Sequence, residues 1–211
     1  MAVEASSESS AAAAQIVTDA LWLATLNRIA ALGAHELKGA LNGVAVNLEV
    51  IRSRAEKPDV PASAVSTFAH AAVEQLDGVI EMTEGLLSLS RPAPGLVDIG
   101  RVVRSVGSLL VRAARADGRE IVIDGAFDTL GATTANANAV RLAIGSVLLA
   151  AGAATARAEC RAGYDGDLPA ARVDLSGENA PVLAEEVLSA VHTAGIRVQA
   201  ERSAISITFP R

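Results

Sequence analysis

Residues 22–51 read WLATLNRIAALGAHELKGALNGVAVNLEVI, and their spacing decides the fold. Trp22, Leu26, Ile29, Gly33, Leu37, Leu41, Val44, Leu48 and Ile51 recur every three or four residues, which predicts one apolar stripe on a long amphipathic helix. At about 100° per residue, His35 falls roughly 160–200° from Gly33 and Leu37, on the solvent side of that stripe. Arg28, Lys38, Gly39 and Asn42 share the outer face with it. An imidazole displayed from a rigid helix is available to a partner, whereas one folded into a core is not.

The helix is expected to begin near Gln15–Asp19 and to persist to about Glu56, after a lead-in over residues 1–14 that is rich in Ala and Ser and reads as disordered. The lead-in lacks the basic start and clean apolar run of a signal peptide. Lys57-Pro58-Asp59-Val60-Pro61 then reverses the chain, because proline ends helices and aspartate favours turns. A second stripe follows in Val65, Phe68, Ala72, Leu76, Val79, Thr83, Leu86 and Leu87. Two antiparallel helices with one stripe each cannot enclose a core, so the patterning predicts a homodimer with a four-helix bundle about a two-fold axis.

Arg91-Pro92-Ala93-Pro94-Gly95 ends this hairpin (residues 15–91), with residues 92–95 as a linker. Residues 96–211 change texture. Ile99–Ala116 reads as a helix and Glu120–Asp124 as a short strand. Asn136–Thr155 reads as a helix apolar nearly all round and therefore buried. Arg157–Ala162 and Ala171–Leu175 are expected to pair across Tyr164-Asp165-Gly166-Asp167, an Asp-Gly hairpin signal. Pro181–Ala194 reads as a helix with proline in its first turn. Ile196–Glu201 and Ala204–Phe209 close the chain as a strand pair. The predicted fold class is therefore α+β: a long helical hairpin followed by a small α/β sandwich.

Composition narrows the function. Apolar residues make up 51% of the 211 and aromatics only 2%, with a net charge of −6 in interspersed charges. No basic tract with stacking aromatics is present, so nucleic acid is not an expected partner. The apolar run Leu142–Ala156 is too short to cross a bilayer and no membrane partner is expected. Cys160 is the only cysteine, so no internal disulfide is possible, which suits a cytoplasmic location.

The segment HELKGALNGV (residues 35–44) resembles the H-box of sensor histidine kinases, in which a histidine, an acid, a leucine and a base precede Asn/Thr-Pro-Leu on the dimerisation and phosphotransfer helix. His35, Glu36, Leu37, Lys38 and Leu41 match that pattern, while Gly39 and Ala40 replace the Asn/Thr and the proline. The order of elements after residue 95 also looks like the ATP-binding domain of such kinases. The nucleotide grips of that family are missing. Its N-box asparagines fall on Ser146 and Ala150, which are poor ligands for a hard cation. Its Asp-x-Gly-x-Gly adenine loop reads Asp174, Ser176 and Glu178 here, and a Cβ stands where backbone should approach phosphate. Neither a Gly-x-Gly before the last strand pair nor a P-loop is present.

A phosphoacceptor helix on a degenerate ATP domain resembles the dimeric histidine phosphotransferases of phosphorelays. The resemblance implies that His35 is the phosphoacceptor, taking phosphate from a receiver-domain aspartate and passing it to another. Glu36 is then the expected acceptor for the second ring nitrogen, and Lys38, about 60° round the helix, offsets phosphoryl charge. Arg28, Gly39 and Asn42 are the expected partner contacts. No cofactor or metal is expected on this chain, Mg²⁺ belonging to the receiver, and no ATP binding. Replacement of the water-positioning Asn/Thr by Gly39 implies that the chain does not discharge its partner. His70 and His192 have no ligand-spaced neighbours.

Overall fold

The computed structural model describes residues 2–211 apart from Pro58, Val60 and Glu178, with residues 2–8 described by backbone alone. Helix α1 (Ala2–Ala55) and helix α2 (Ser63–Ser90) form the antiparallel hairpin. The expected turn lies partly on Pro58 and Val60, outside the described residues. Helix α1 starts at Ala2, not near Gln15–Asp19. Alanine is the best helix former, so the Ala-rich start continues the helix, and Ser9–Ala13 are exposed.

Strand β1 (Val97–Asp98) leads into α3 (Ile99–Ala116), whose first turn is capped by the Asp98 carboxylate accepting from the Arg101 backbone N–H at 2.9 Å. Then come β2 (Glu120–Ile123), a 3₁₀ turn (Gly125–Thr129), β3 (Ala132–Thr133) and α4 (Ala137–Ala154). The chain ends with β4 (Arg157–Asp165), β5 (Leu168–Leu175), α5 (Glu185–Thr193), β6 (Arg197–Ala200) and β7 (Ala204–Thr208). Five strands form a mixed sheet in the order β2-β4-β5-β7-β6, in which only β2 and β4 run parallel. The β4–β5 hairpin turns at Gly166, whose φ of 61° favours a residue without Cβ.

One further expectation needs correction, and one pairing gave no sign in the sequence. Helix α5 begins at Glu185 rather than Pro181; residues 181–184 are not helical, and Glu185 and Glu186 supply the acidic first turn that suits a helix N-terminus. The two-residue pair β1–β3 gave no periodic signal and was not predicted.

One face of the sheet lies under helices and is built from small aliphatics: Ala158, Cys160, Ala171, Val173, Ile205 and Ile207. The other carries ion pairs, including Arg161–Glu159 at 2.9 Å, Arg172–Asp174 at 2.8 Å and Arg172–Glu201 at 2.9 Å. These pairs are exposed and contribute little stability. Helix α4 is long and apolar enough to cross a membrane by composition, yet 61% of it is buried inside the protein as the central core helix.

The hairpin and the α/β layer share one hydrophobic core. Trp22, Ile29, Met82 and Leu89 belong to the same buried cluster as Leu109, Leu142 and Ile144. Gly145 on α4 provides the close approach: a Cβ there would lie 3.2 Å from Ile29 and from Thr25 of α1. Arg141, 6% exposed, ties the seam from the other side. Its guanidinium donates to the carbonyls of Arg91 at 2.7 Å and Ser88 at 3.4 Å, where α2 ends, and to Asn138 Oδ1 at 2.9 Å. Burial lowers its pKa, with a smaller contribution from Arg101, and the helix C-terminus supplies the compensating negative end of the dipole.

Candidate functional site

Helix α1 divides its circumference into three faces roughly 120° apart. The first, with Trp22, Thr25, Ile29 and Gly33, is buried against α3 and α4. The second carries Leu23, Leu41 and Leu48, which are 58%, 46% and 55% exposed although apolar. The third carries Arg28, His35 and Asn42, all exposed. What reads as one stripe in the sequence is thus two adjacent faces, one covered by the chain itself and one not. Helix α2 matches this with Val73, Leu76, Ile80 and Leu87, exposed at three-, four- and seven-residue steps.

His35 stands on the third face, exposed and without a hydrogen-bond partner among the described residues. Lys38 and Gly39 are exposed beside it. A Cβ on Gly39 would meet nothing within 4 Å, so no packing demand explains glycine there. Lys38 also edges a groove of about 360 Å³ with Ala34, Leu37, Leu41 and Leu86, so its stem lies along apolar surface.

Glu36 departs from its expected role. Adjacent helical residues do not face each other, and Glu36 is half-buried on the side that packs toward α3, with no hydrogen bond to His35. There it lines a cleft of about 330 Å³ with Gly39, Ala40, Arg112 and Arg115. Sequence reasoning does not single out these two arginines. Helix α3 runs alongside α1, with Leu109 packed under Gly33, and this register brings Arg112 and Arg115 level with Glu36, Gly39 and Ala40. The available signal was that α3 holds four arginines and no acid in a chain of net charge −6.

Of the positions that the resemblance would assign to nucleotide grips, Asp174 and Ser176 are bound to other side chains and backbone of the sheet. Ser146 and Ala150 are half-buried on α4. Asp174 faces the outer side of the sheet and is paired with Arg172 at 2.8 Å and Arg161 at 3.8 Å. Ser176 Oγ accepts from the Arg157 N–H at 3.1 Å and hydrogen-bonds Thr155 Oγ1 at 2.5 Å; Glu178 lies outside the described residues. Among the described residues, no three His, Cys, Asp or Glu side chains are placed to hold a metal ion. Cys160 is 2% exposed, and burial, then Asp124 and Asp174, push its thiol up to about 12. His70 and His192 are exposed; His70 Nδ1 lies 2.7 Å from the Ser66 carbonyl one turn back.

Fold and site together define a helical hairpin that displays a histidine and is fused to a two-layer α/β unit. No family model matches the chain, and no curated protein matches its sequence. Among solved structures the chain is similar to the Acinetobacter baumannii histidine kinase AdeS, at 12% identity over 83% of this chain and 97% of that one, with a TM-score of 0.39. A likeness that loose transfers no residue role.

Proposed function

We propose that the protein is a histidine-containing phosphotransfer protein of a two-component phosphorelay, acting as a cytoplasmic homodimer. Phosphate passes between His35 and aspartates of response-regulator receiver domains. The observation that carries this reading is the exposed imidazole on a face of α1 with no packing duty, inside an H-box-like segment. A ring nitrogen attacks the phosphorus of the receiver's aspartyl phosphate; an N–P bond forms as the acyl O–P bond breaks, and the carboxylate leaves. A second receiver aspartate reverses the step. The phosphoramidate is labile enough to be handed on, and Lys38 offsets charge on the transferring group. Arg28, Gly39 and Asn42 contact the docked receiver, which brings its own Mg²⁺.

ATP-dependent autokinase activity is not part of the reading. The Asn and Gly grips are absent from the sequence, and Asp174 is held in ion pairs. The uncovered apolar residues of α1 and α2 support pairing of two copies.

The test mixes the purified protein with a panel of phosphorylated receiver domains and follows acid-labile phosphate. Transfer to the wild type and none to His35→Gln is the expected result. The alternative, a dimeric pseudokinase adaptor that docks a receiver or kinase without carrying phosphate, is favoured instead if His35→Gln keeps full partner activity.

A further inference from the structure

Helix α1 outruns its partner in the hairpin. Gln75 of α2 packs on Gly43 of α1, so the antiparallel register puts Ser90, the end of α2, level with Arg28. Residues N-terminal to Arg28 therefore have no α2 beside them, and α4 covers one side, where Trp22 and Thr25 meet Gly145. Their free side carries a strict seven-residue repeat. Ile16, Leu23, Ala30, Leu37 and Val44 form one series, and Ala20, Asn27, Ala34, Leu41 and Leu48, each four residues on, form the other. These are the d and a positions of a heptad, and none of them is buried in the single chain. Ile16, well beyond the hairpin, is 68% exposed. Asn27 is exposed and has no hydrogen-bond partner among the described residues.

We infer that residues 16–34 of α1 join a second copy of this chain in a parallel, in-register, two-stranded coiled coil that carries the homodimer past the end of α2. The inference rests on the homodimer proposed above and adds a segment that the four-helix bundle does not reach. The repeat identifies the occupant. A period of 3.5 residues rather than 3.6 keeps one seam facing a like helix as the two wind about each other. Asn27 sets orientation and register. An amide at an a position is satisfied by the same amide across a two-fold axis, and only a parallel copy in register brings it opposite. Neither series contains a charged residue, so nothing on the seam repels the like surface. The seam lies about 110° round α1 from Arg28, His35 and Asn42, so pairing leaves both imidazoles in solvent.

The experiment places single cysteines in the full-length chain and oxidises them with copper phenanthroline, with the wild type as blank because its Cys160 is 2% exposed. Leu23→Cys, on the seam, is expected to give a disulfide-linked dimer at least about tenfold faster than Val17→Cys, which is 52% exposed but about 110° away round the helix. Both positions are exposed in the single chain, so neither substitution costs packing. Asn27→Leu is expected to tighten the dimer at least about tenfold in sedimentation, since a polar pair on the seam costs stability. In a wild type that is dimeric, Leu23→Cys cross-linking no faster than Val17→Cys overturns the inference alone. Asn27→Leu without effect on dimer affinity does the same. A wild type that sediments as a monomer at every concentration sinks the homodimer and this inference together.

Discussion

Replacing Ile29 by alanine tests whether the histidine-bearing helix and the α/β layer are one folding unit. Ile29 is fully buried, and its Cδ1 lies where α1 crosses Gly145 of α4. The substitution removes about three methylene-sized groups at ~0.8 kcal/mol each, so the transfer part is roughly 2.4 kcal/mol. A residual cavity between two long helices collapses poorly and adds to this, which puts the total at about 3–4 kcal/mol. With a urea slope of roughly 2–3 kcal/mol/M, the midpoint falls by about 1–2 M. Trp22 is the only tryptophan, is 5% exposed, and sits in the same seam, so its fluorescence reports the α1–α4 contact. Far-UV circular dichroism reports the whole chain. A shared core requires the two probes to give one midpoint in the wild type and to shift together in Ile29→Ala, at a fixed protein concentration. Fluorescence that changes well before ellipticity, or a midpoint that Ile29→Ala leaves in place, would refute the single core.

Two further perturbations address other parts of the molecule. Ile80→Glu places a charge on the uncovered face of α2, where the side chain is 49% exposed in the single chain. Light scattering should show the wild-type dimer become a monomer of unchanged helical content, whereas a wild type already monomeric at micromolar concentration removes the four-helix bundle from the argument. Cys160 should resist a thiol reagent at pH 8 until denaturant is added. Because its folded pKa is raised from 9.0 to about 12, its contribution to stability is intact below pH 9 and declines by about 1.4 kcal/mol per pH unit from there toward 12. Cys160→Ala should lose that alkaline decline, and a native thiol that reacts at once at pH 8 contradicts the burial.

Much of this architecture could be read from the chain. Helix α3 was bounded at Ile99 and Ala116, and α4 was expected to be buried because it reads apolar nearly all round. The Asp165-Gly166 turn placed the β4–β5 hairpin. The two-residue strands β1 and β3 escaped because period-two alternation needs more length to register. Pro181 suggested a helix start that the chain takes up only at Glu185, since proline also suits extended backbone. Exposure was legible where it depends on one helix: His35, Arg28, Lys38, Gly39 and Asn42 are exposed as their spacing demands. It failed where it depends on two. Glu36 was read from adjacency to His35, but its environment is set by α3. Arg112 and Arg115 come beside Glu36 only through the register in which α3 lies along α1, where Leu109 meets Gly33.

That register bears on how the three faces of α1 constrain one another. The packed face needs Gly33 and Ile29 to seat α3 and α4, and the cost of altering them is paid in stability. The uncovered apolar face needs leucines at 23, 41 and 48, but only in the presence of a second copy. The third face has neither obligation: Arg28, His35 and Asn42 touch nothing that the fold requires. A helix confined to packing and pairing would serve as well with any soluble side chains there, so stability alone gives no reason for an imidazole at position 35 flanked by Lys38 and an unhindered Gly39. The α/β layer, for its part, holds α3 rigidly beside that face through Gly33–Leu109 and Gly145–Ile29 contacts. Those contacts bury the face of α1 that carries Trp22, Ile29 and Gly33. That gives the layer a reason to remain folded onto the hairpin.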